Sequence, residues 1–294
     1  MIYLYGMVMT TRSFLLCGKY PEADGYAEIK ESHFHLGGET GTAAAILASF
    51  GCEIALGGTD TGTENDKLIR AYFADKNADL SGIDYNSHYS GVIDNVIIDR
   101  DTRTCFGEFN RLYSGNEKWY GKPDEKAIAR ANVVGTDPFF GEEIAHICKR
   151  LGKKYATIDC PYDSDMNRYC AVNAVSHQHL DDNYPHKSYE ELFKLYTDNT
   201  EGLVIFTMGG KEVMYGRKNQ LPKYFKPYSL DIVSTLGAGD SFKAGTIYAL
   251  DKGMSDDETV EFACATAGCA CTGYPISENP PTLEKVYEII NSRK

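Results

Sequence analysis

The sequence has little positive charge, no long apolar run and no ordered set of cysteines. Lys and Arg total 30 against 42 Asp and Glu, which gives a formal net charge of −12. A chain this acidic has no basic block to replace the counterions of a phosphate backbone, which argues against DNA or RNA. No stretch approaches the roughly 20 apolar residues that a membrane-spanning helix needs. We therefore expect neither a nucleic-acid partner nor a membrane partner.

The cysteines and the N-terminal stretch both bear on the compartment. The nine cysteines are odd in number and lack the regular spacing of a disulfide framework. Residues 1–16 are apolar but lack the basic start of a signal peptide, and Gly6 and Arg12 interrupt them. This stretch predicts a first buried strand rather than an export signal. Reduced thiols without an export signal predict a cytoplasmic protein.

No repeat, linker or low-complexity tract divides the 294 residues, so we expect one domain over residues 1–294. Short apolar segments alternate with helical ones along much of the chain, and this pattern predicts a mostly parallel sheet flanked by helices. Ligands bind at the carboxyl ends of such strands. Strands are predicted at Ile2–Met9, Ala131–Gly135, Tyr155–Asp159, Ala171–Val175 and Val204–Thr207, and helices near Thr42–Phe50, Glu142–Leu151 and Ser188–Tyr196.

The segment Ile232–Lys252 predicts a short strand, a glycine-rich turn and the start of a helix. Such a turn leaves backbone N–H groups unpaired where the helix dipole adds positive potential, so it can hold a phosphate or a developing negative charge. A carboxylate there would repel a resting phosphate, yet it could accept the proton of an attacking hydroxyl. The prediction is that Asp240 acts as a general base and that Gly237, Ala238 and Gly239 form an anion hole.

The same residues also admit a purely structural interpretation, in which Asp240 is a helix N-cap and the glycines make a tight turn. The segment 234–242, STLGAGDSF, nevertheless resembles the C-terminal signature of the ribokinase-like (PfkB) carbohydrate kinases. Upstream, GGETGTAAAILASFG at 37–51 is similar to the N-terminal signature of that family. The two motifs stand in the family's order about 200 residues apart, which is far more specific than either motif alone.

The resemblance implies a ribokinase-like α/β fold with a small β lid built from about 12–36 and 89–110. It implies ATP and Mg²⁺ as cofactors, transfer of a γ-phosphoryl group to a hydroxyl of a small sugar-like substrate, and a homodimer formed through the lid. Independently, apolar and polar residues alternate over Gly91–Phe109 on both sides of a central turn, which predicts a β-hairpin with one wet face.

Further site residues follow from the resemblance. Thr207-Met208-Gly209-Gly210 resembles the family's Thr-x-Gly turn, which implies that Thr207 and Gly209 lie near ATP, with Gly237 and Gly239 at the phosphates. The helix of small residues around Ala267 borders the adenine in the family. On the acceptor side, the implied contacts are Gly37, Gly38, Thr42 and Asp240, and Asp137 is added because it lies just beyond the end of a predicted strand.

Three departures from the family pattern leave the substrate and the metal ligands open. Thr11 stands where many relatives have a sugar-binding Asp, and Thr42 stands where many have a substrate-binding Asn. Ser176 lies where an Asn-x-x-Glu motif organises the metal in many relatives. A serine at this position is associated with the ketohexokinase-like branch. No metal ligand is therefore predicted. The alternatives are a nucleoside kinase, a kinase of aminated sugars such as fructosamine, or a ligand-binding module without catalysis.

Overall fold

Two β-sheets organise the chain in this computed structural model, which describes residues 1–99, 102–108, 119–140 and 142–293. The larger sheet has nine strands, and the smaller one has four. The described strands, in chain order, are β1 (Ile2–Gly6), β2 (Met9–Leu16), β3 (Ile29–Gly37), β4 (Ile54–Gly58), β5 (Ala78–Gly82), β6 (Ile93–Ile98), β7 (Arg103–Phe106), β8 (Val133–Thr136), β9 (Lys154–Ile158), β10 (Val172–Ser176), β11 (Leu203–Thr207), β12 (Val213–Gly216) and β13 (Lys223–Phe225).

The larger sheet has the strand order β13-β12-β11-β10-β9-β8-β1-β4-β5. All neighbouring strands from β11 to β5 are parallel, whereas β12 and β13 are antiparallel additions at one edge. The prediction of a mostly parallel central sheet is therefore confirmed. Because the strands run parallel, their carboxyl ends meet along one edge of the sheet, where ligands bind in such folds.

Helices cover both faces of the larger sheet. Within β1, Ile2 and Leu4 pack into one core cluster, whereas Tyr3 and Tyr5 pack into another cluster on the opposite face. The described helices are α1 (Glu39–Ser49), α2 (Asp66–Phe73), α3 (Glu125–Arg130), α4 (Glu143–Leu151), α5 (Asp165–Tyr169), α6 (His177–Asn183), α7 (Tyr189–Asp198), α8 (Ala238–Lys252), α9 (Asp256–Cys271) and α10 (Leu283–Asn291).

The smaller sheet has the strand order β3-β2-β6-β7. Strand β2 pairs antiparallel with β3 and parallel with β6, and β6 and β7 form an antiparallel hairpin. The turn predicted around 100–101 and the predicted end at Phe109 lie outside the described residues. These strands come from the two segments that we expect to form the lid, although β2 already begins at Met9. That the sheet moves as a lid stays a prediction.

The first strand is shorter than the sequence predicts. Instead of one strand over Ile2–Met9, β1 ends at Gly6 and Met9 opens β2 in the other sheet. The backbone leaves the ladder between them because the Met7 N–H donates to a side chain, the Asp137 carboxylate, at 2.7 Å. Local strand propensity cannot predict this hydrogen bond, since its two partners lie far apart in the sequence.

The helix predicted at Thr42–Phe50 begins earlier, at Glu39. Its N-cap is Gly38, whose φ of 83° lies in the left-handed region that glycine tolerates. The Thr40 N–H donates to the Met7 carbonyl at 3.0 Å, so an acceptor outside the helix satisfies part of its first turn. The first turn of α1 is thereby fixed against the end of β1.

The strand predicted at the start of Ile232–Lys252 is wrong. Ile232 and Val233 are β-prone, but they are about half exposed, at 51% and 49%, and belong to no strand. The Val233 N–H donates instead to the Cys271 carbonyl at the end of α9, at 2.8 Å. The glycine-rich turn therefore follows an extended segment that is held by a helix end.

Two further features concern the compartment and the membrane. None of the helices that the structure describes has both the length and the apolar character needed to cross a membrane. All nine cysteines are free thiols, and most are buried, where burial raises the pKa of thiols such as Cys264 to about 12. Buried thiols of this kind act as small apolar packing residues rather than as nucleophiles.

Candidate active site

The glycine-rich turn forms the N-terminus of α8, a helix that is buried along most of its length. Gly237 is its N-cap, with φ 80°, and no side chain caps the helix. Asp240 lies in the first turn but is not the cap, so the structural alternative that made it an N-cap is wrong. A helix start without a capping side chain leaves N–H groups available to an anion.

The N–H groups of the turn differ in availability. The Ala238 N–H donates to the Thr235 carbonyl at 3.2 Å, so this group is already engaged. The Gly239 N–H has no acceptor in the described chain, and a Cβ built on Gly239 would meet no atom within 4 Å. Open space therefore lies in front of Gly239, as an approaching phosphate requires.

Asp240 stands beside this opening. Burial raises the pKa of Asp240 to about 6, the positive charge of Lys243 opposes that rise, and the carboxylate of Asp137 adds to it. A carboxyl group with a pKa near 6 is largely ionised at pH 7 but still holds a proton well enough to serve as a general base. The electrostatics of the site therefore suit the predicted role of Asp240.

A buried ion pair lies one helical turn beyond Asp240. Lys243 donates to Asp137 Oδ1, and the two side chains are 1% and 0% exposed. The other oxygen of Asp137 accepts the Met7 N–H at 2.7 Å and the Thr40 hydroxyl at 3.0 Å. Asp137 was expected to meet the acceptor, but both of its oxygens are engaged by protein groups. Its contacts instead tie α8 to the start of α1 and to the end of β1.

Sequence reasoning missed Lys243. The signal that points to it is a lysine at a position where its neighbours on the helix, such as Phe242 and Ala244, are buried. A buried lysine needs a carboxylate partner. The partner, Asp137, lies 106 positions away in the sequence, so spacing alone could not identify it.

The acceptor-side residues predicted from the N-terminal motif lie against this turn. A Cβ built on Gly237 would come within 3.5 Å of the Thr42 γ-methyl and 3.7 Å of Asp240 Oδ2. Thr42 and Asp240 therefore flank Gly237 from two different helices, α1 and α8. The two sequence motifs, distant along the chain, meet in the fold at this point.

The Gly37-Gly38 pair has a packing reason of its own. A Cβ on Gly37 would lie 2.1 Å from Thr11 Oγ1, and a Cβ on Gly38 would lie 2.4 Å from the Met7 carbonyl oxygen. Both positions therefore require glycine because the chain crosses itself closely there. Contact of these two glycines with a ligand stays a prediction.

Glu39 is a second residue that sequence reasoning missed. Its carboxyl group is buried beside this turn, and Oε2 has no hydrogen-bond partner among the described residues. Burial raises the pKa of Glu39 well above its usual range, and the nearby Asp137 carboxylate adds to the rise. The available signal was the position of this acidic residue directly after the glycine pair.

On the nucleotide side, Thr207 ends β11 and Gly209 follows in a turn with φ 61°. Ala267 lies on α9, partly exposed and packed against the core cluster that contains Ile205. A cavity of about 620 Å³ opens on the other face of the same strands, where Met208 and Met214 belong to a different cluster. Ala267 and this cavity therefore lie on opposite faces of the sheet.

Acidic side chains that could bind a metal lie at two places. Among the described residues, Glu142, His146 and Asp165 bring three ligand atoms within 4.8 Å of one another, but Asp165 already pairs with Arg168. Asp159, at the carboxyl end of β9, is partly exposed and has φ 46°, a conformation that few residues other than glycine adopt. One of its carboxylate oxygens accepts the Ser176 N–H at 2.7 Å, and the other accepts the Ser176 hydroxyl at 3.2 Å.

Comparison with known proteins decides the family. The model of the pfkB family of carbohydrate kinases matches residues 4–283. The chain belongs to this family. PfkB carbohydrate kinases are phosphotransferases with an alcohol group as acceptor, so the family and the enzyme class expected from the sequence are confirmed at this level. The ketohexokinase-like branch stays a prediction.

Two curated proteins show how far the sequence similarity of this PfkB family member extends. It is 34% identical to 1-phosphofructokinase of Haemophilus influenzae over 111 residues, which are 35% of this chain and 36% of the relative. It is 23% identical to ATP-dependent ribose-1-phosphate kinase of Halopiger xanaduensis, across 94% of this chain and 93% of the relative. The chain thus matches about a third of the length of the first of these relatives.

Among solved structures, the ribokinase of Thermotoga maritima superposes with a TM-score of 0.80 at 16% identity and covers 99% of each chain. The Arabidopsis thaliana ribokinase complexed with ribose and ATP superposes with a TM-score of 0.78 at 16% identity and covers 98% of each chain. At this identity the likeness establishes the fold, which confirms the predicted ribokinase-like class.

Proposed function

We propose that this PfkB kinase transfers the γ-phosphoryl group of ATP to a hydroxyl of a small sugar-like acceptor, with Asp240 as general base. The observation that carries the proposal is the position of Asp240, with a pKa near 6, beside the uncapped start of α8. A base and an anion-binding helix start are needed together for phosphoryl transfer. A helix start that served only folding would need neither an open N–H nor a carboxylate with a raised pKa.

In the proposed step the acceptor oxygen attacks the γ-phosphorus and its proton passes to Asp240. The bond from the γ-phosphorus to the bridging oxygen breaks, and that oxygen leaves with ADP. The Gly239 N–H, with that of Gly237, donates to the oxygens on which negative charge builds up. Ala238 is left out of this donor set because its N–H is already bonded to Thr235.

We place ATP along the carboxyl edge of the larger sheet, past Thr207 and Gly209 and with its base near Ala267. The small side chains there leave room for a base. Asp159 would hold Mg²⁺, because its partly exposed carboxylate is the kind of ligand that Mg²⁺ prefers and its φ of 46° marks a constrained position. Bound Mg²⁺ would offset phosphate charge.

On the acceptor side we propose contacts from Gly38 and Thr42. Thr42 adjoins Gly237, and its hydroxyl can bond to a sugar. Asp137 changes its role in the proposal because it is fully buried and engaged. It positions α8, and hence Asp240, rather than meeting the acceptor.

The predicted homodimer through the lid remains part of the proposal, as does the cytoplasmic location. Large apolar side chains are exposed on strands of the smaller sheet, at Ile29, Phe34 and Phe106, which are 51%, 38% and 48% exposed. Exposed apolar groups on a sheet with open edges favour pairing with a second copy.

The test is ADP release by the purified protein with Mg-ATP against ketoses, aldoses, polyols, aminated sugars and nucleosides. We expect turnover on one class of acceptor. Gly239→Ala provides the matched variant, because the added methyl group meets no protein atom but projects into the space proposed for the phosphate. The variant should fold as the wild type does and turn over at least about tenfold more slowly.

Two outcomes would contradict the proposal. Absence of turnover on every class, with ATP still bound, would favour a ligand-binding module without catalysis. Normal turnover by Gly239→Ala would show that no phosphate approaches the start of α8. Turnover confined to nucleosides would keep the mechanism and change the substrate.

A further inference from the structure

Glu39 is a carboxylate that the fold buries without supplying a partner. It is the first residue of α1, directly after Gly38, and its Oε2 has no hydrogen-bond partner among the described residues. The residue as a whole keeps some exposed surface, so it is not sealed off from solvent. Burying a carboxyl group without a hydrogen-bond partner destabilises the fold. Such a cost persists where a ligand supplies the missing partner.

The position of Glu39 links it to the proposed reaction. The next residue, Thr40, donates its hydroxyl to the Asp137 carboxylate at 3.0 Å. Thr42, three residues after Glu39, adjoins Gly237. Residues three apart on a helix share a face. Glu39 therefore lies on the face of α1 that borders the cleft beside Asp240, on the acceptor side.

The charges around Glu39 are predominantly negative. The charges that act on its pKa are those of Asp137, just after β8, of Asp240 and Lys243 on α8, and of Asp159, just after β9. Lys243 is the single cation in this group, and it is bonded to Asp137. Beside the Asp137–Lys243 pair, the carboxylates of Asp240 and Asp159 leave the acceptor side net negative, although Arg103 of β7 opposes the charge of Asp240. This charge disfavours an acceptor that carries a phosphate or carboxylate.

We infer that Glu39 binds a protonated amino group on the acceptor, so that the substrates of this kinase are amine-bearing sugars. The inference rests on the proposed function, because the amine would lie beside the hydroxyl that Asp240 deprotonates. The bonds made and broken in the phosphoryl transfer are unchanged, and the amino group keeps its protons throughout. Glu39 is a specificity residue that contacts the acceptor and takes no part in the chemical step.

Protonation gives the inference a readout that does not depend on turnover. Burial raises the pKa of Glu39 well above its usual range and the Asp137 carboxylate adds to the rise, so this carboxyl group holds a proton more readily than an exposed one does. An ammonium group placed beside it stabilises the ionised form, so that proton is released on binding. Calorimetry in two buffers of different ionisation enthalpy measures this release directly.

The experiment uses pairs of sugars that differ only in an amino group for a hydroxyl, such as 1-amino-1-deoxyfructose with fructose and glucosamine with glucose. Isothermal titration of the wild-type chain at pH 6.5 should show the amine of one pair binding at least about tenfold more tightly, with proton release. Glu39→Gln should bring the two members of that pair within about threefold of each other and abolish the proton release.

Glu143→Gln is the matched control, because Glu143 is likewise the first residue of a helix but is exposed on α4. It should keep the amine preference of the wild type. Equal binding of both members in every pair, or a preference that survives Glu39→Gln, would overturn the inference. Binding of Mg²⁺ without nucleotide that is lost in Glu39→Gln would identify a metal ligand instead and would also overturn it.

ADP release with the same sugars separates this inference from the proposed function. Turnover that does not favour the amine leaves the kinase proposal standing and refutes the role of Glu39. An amine preference in binding without any ADP release supports the acceptor site and refutes the kinase proposal.

Discussion

Replacement of Lys243 by methionine tests the buried ion pair that joins the N-terminal and C-terminal motifs. Methionine preserves most of the volume of the lysine stem but leaves the Asp137 carboxylate without its cation. Removing one partner of a buried pair typically costs about 3–5 kcal/mol. Asp137 keeps the Met7 N–H and the Thr40 hydroxyl as donors, so we expect the lower part of that range.

The assay is equilibrium unfolding in urea, with Lys252→Met as the matched control. Lys252 lies on the same helix and pairs with Asp251 at 3.0 Å, but its side chain is 48% exposed. Asp251 is 9% exposed, but the ammonium group of Lys252 stays in solvent, where an ion pair contributes about 0–1 kcal/mol. The control should therefore change the free energy of unfolding by less than about 1 kcal/mol. Equal losses for the two variants would refute the reasoning, because burial would then have no effect on the pair.

A double-mutant cycle isolates the interaction itself. Asp137→Asn keeps an acceptor for Met7 and Thr40 but removes the charge that Lys243 needs. The double variant Asp137→Asn with Lys243→Met should be more stable than the sum of the two single losses predicts. Losses that add would show that the two side chains do not depend on each other.

Three further predictions concern the start of α8. Because the pKa of Asp240 is about 6 when folded against 3.8 in the unfolded chain, ionisation destabilises the fold as pH rises through that window. The free energy of unfolding of Asp240→Asn should therefore exceed that of the wild type by about 1–3 kcal/mol at pH 8, and this gain should vanish below pH 4. Urea titrations at a series of pH values measure it, and a gain that persists at pH 3.5 would contradict the pKa. The same pKa predicts that kcat/KM falls as pH drops through about 6. Lys243→Met removes the positive charge that lowers the Asp240 pKa, so it should move this acid limb of the pH profile to higher pH. An unmoved acid limb would argue against the effect of Lys243 on Asp240. Gly237 caps the N-terminus of α8 and Gly253 its C-terminus, with φ 80° and 67°. Only at Gly237 would a Cβ meet a side chain within 3 Å, because Ile276 lies 2.9 Å away. Gly253→Ala should cost about 1–2 kcal/mol of stability and keep kcat, whereas Gly237→Ala should lose activity as well. Equal kcat values for the two variants would contradict the assignment of Gly237 to the phosphate-binding turn.

Local sequence was enough to predict the parts of the site that lie within one segment. The turn Gly237–Asp240 and the start of a helix there follow from glycines, a carboxylate and apolar spacing that are contiguous in the chain. The capped helix α7 was predictable for the same reason, because Ser188 and Glu191 make a capping box within four residues of each other. Alternating strand and helix segments likewise gave the parallel sheet.

Contacts between distant segments explain what the sequence could not predict. The Met7 N–H donates to Asp137, which ends β1 early, and Lys243, far along the chain, pairs with the same carboxylate. Neither partner is marked by local spacing. Val233 has high strand propensity, but the Cys271 carbonyl provides its acceptor, so tertiary context decides the conformation.

Glu39 shows the same limit at the level of chemistry. In the sequence it is one acidic residue after a glycine pair, and nothing there indicates that its carboxyl group is buried. Only the fold brings it beside Asp240 and leaves Oε2 without a partner. An unsatisfied polar atom is a feature of packing, so no reading of the sequence alone could have assigned it a ligand.

The most direct test of the central claim is ADP release by Asp240→Asn with Mg-ATP and the best acceptor of the panel. The account predicts that kcat falls at least about a hundredfold while ATP binding, measured by titration calorimetry, persists. Asparagine keeps the size of the side chain and removes only the base. Turnover within a few fold of the wild type would contradict the assignment of Asp240 and, with it, the proposed mechanism.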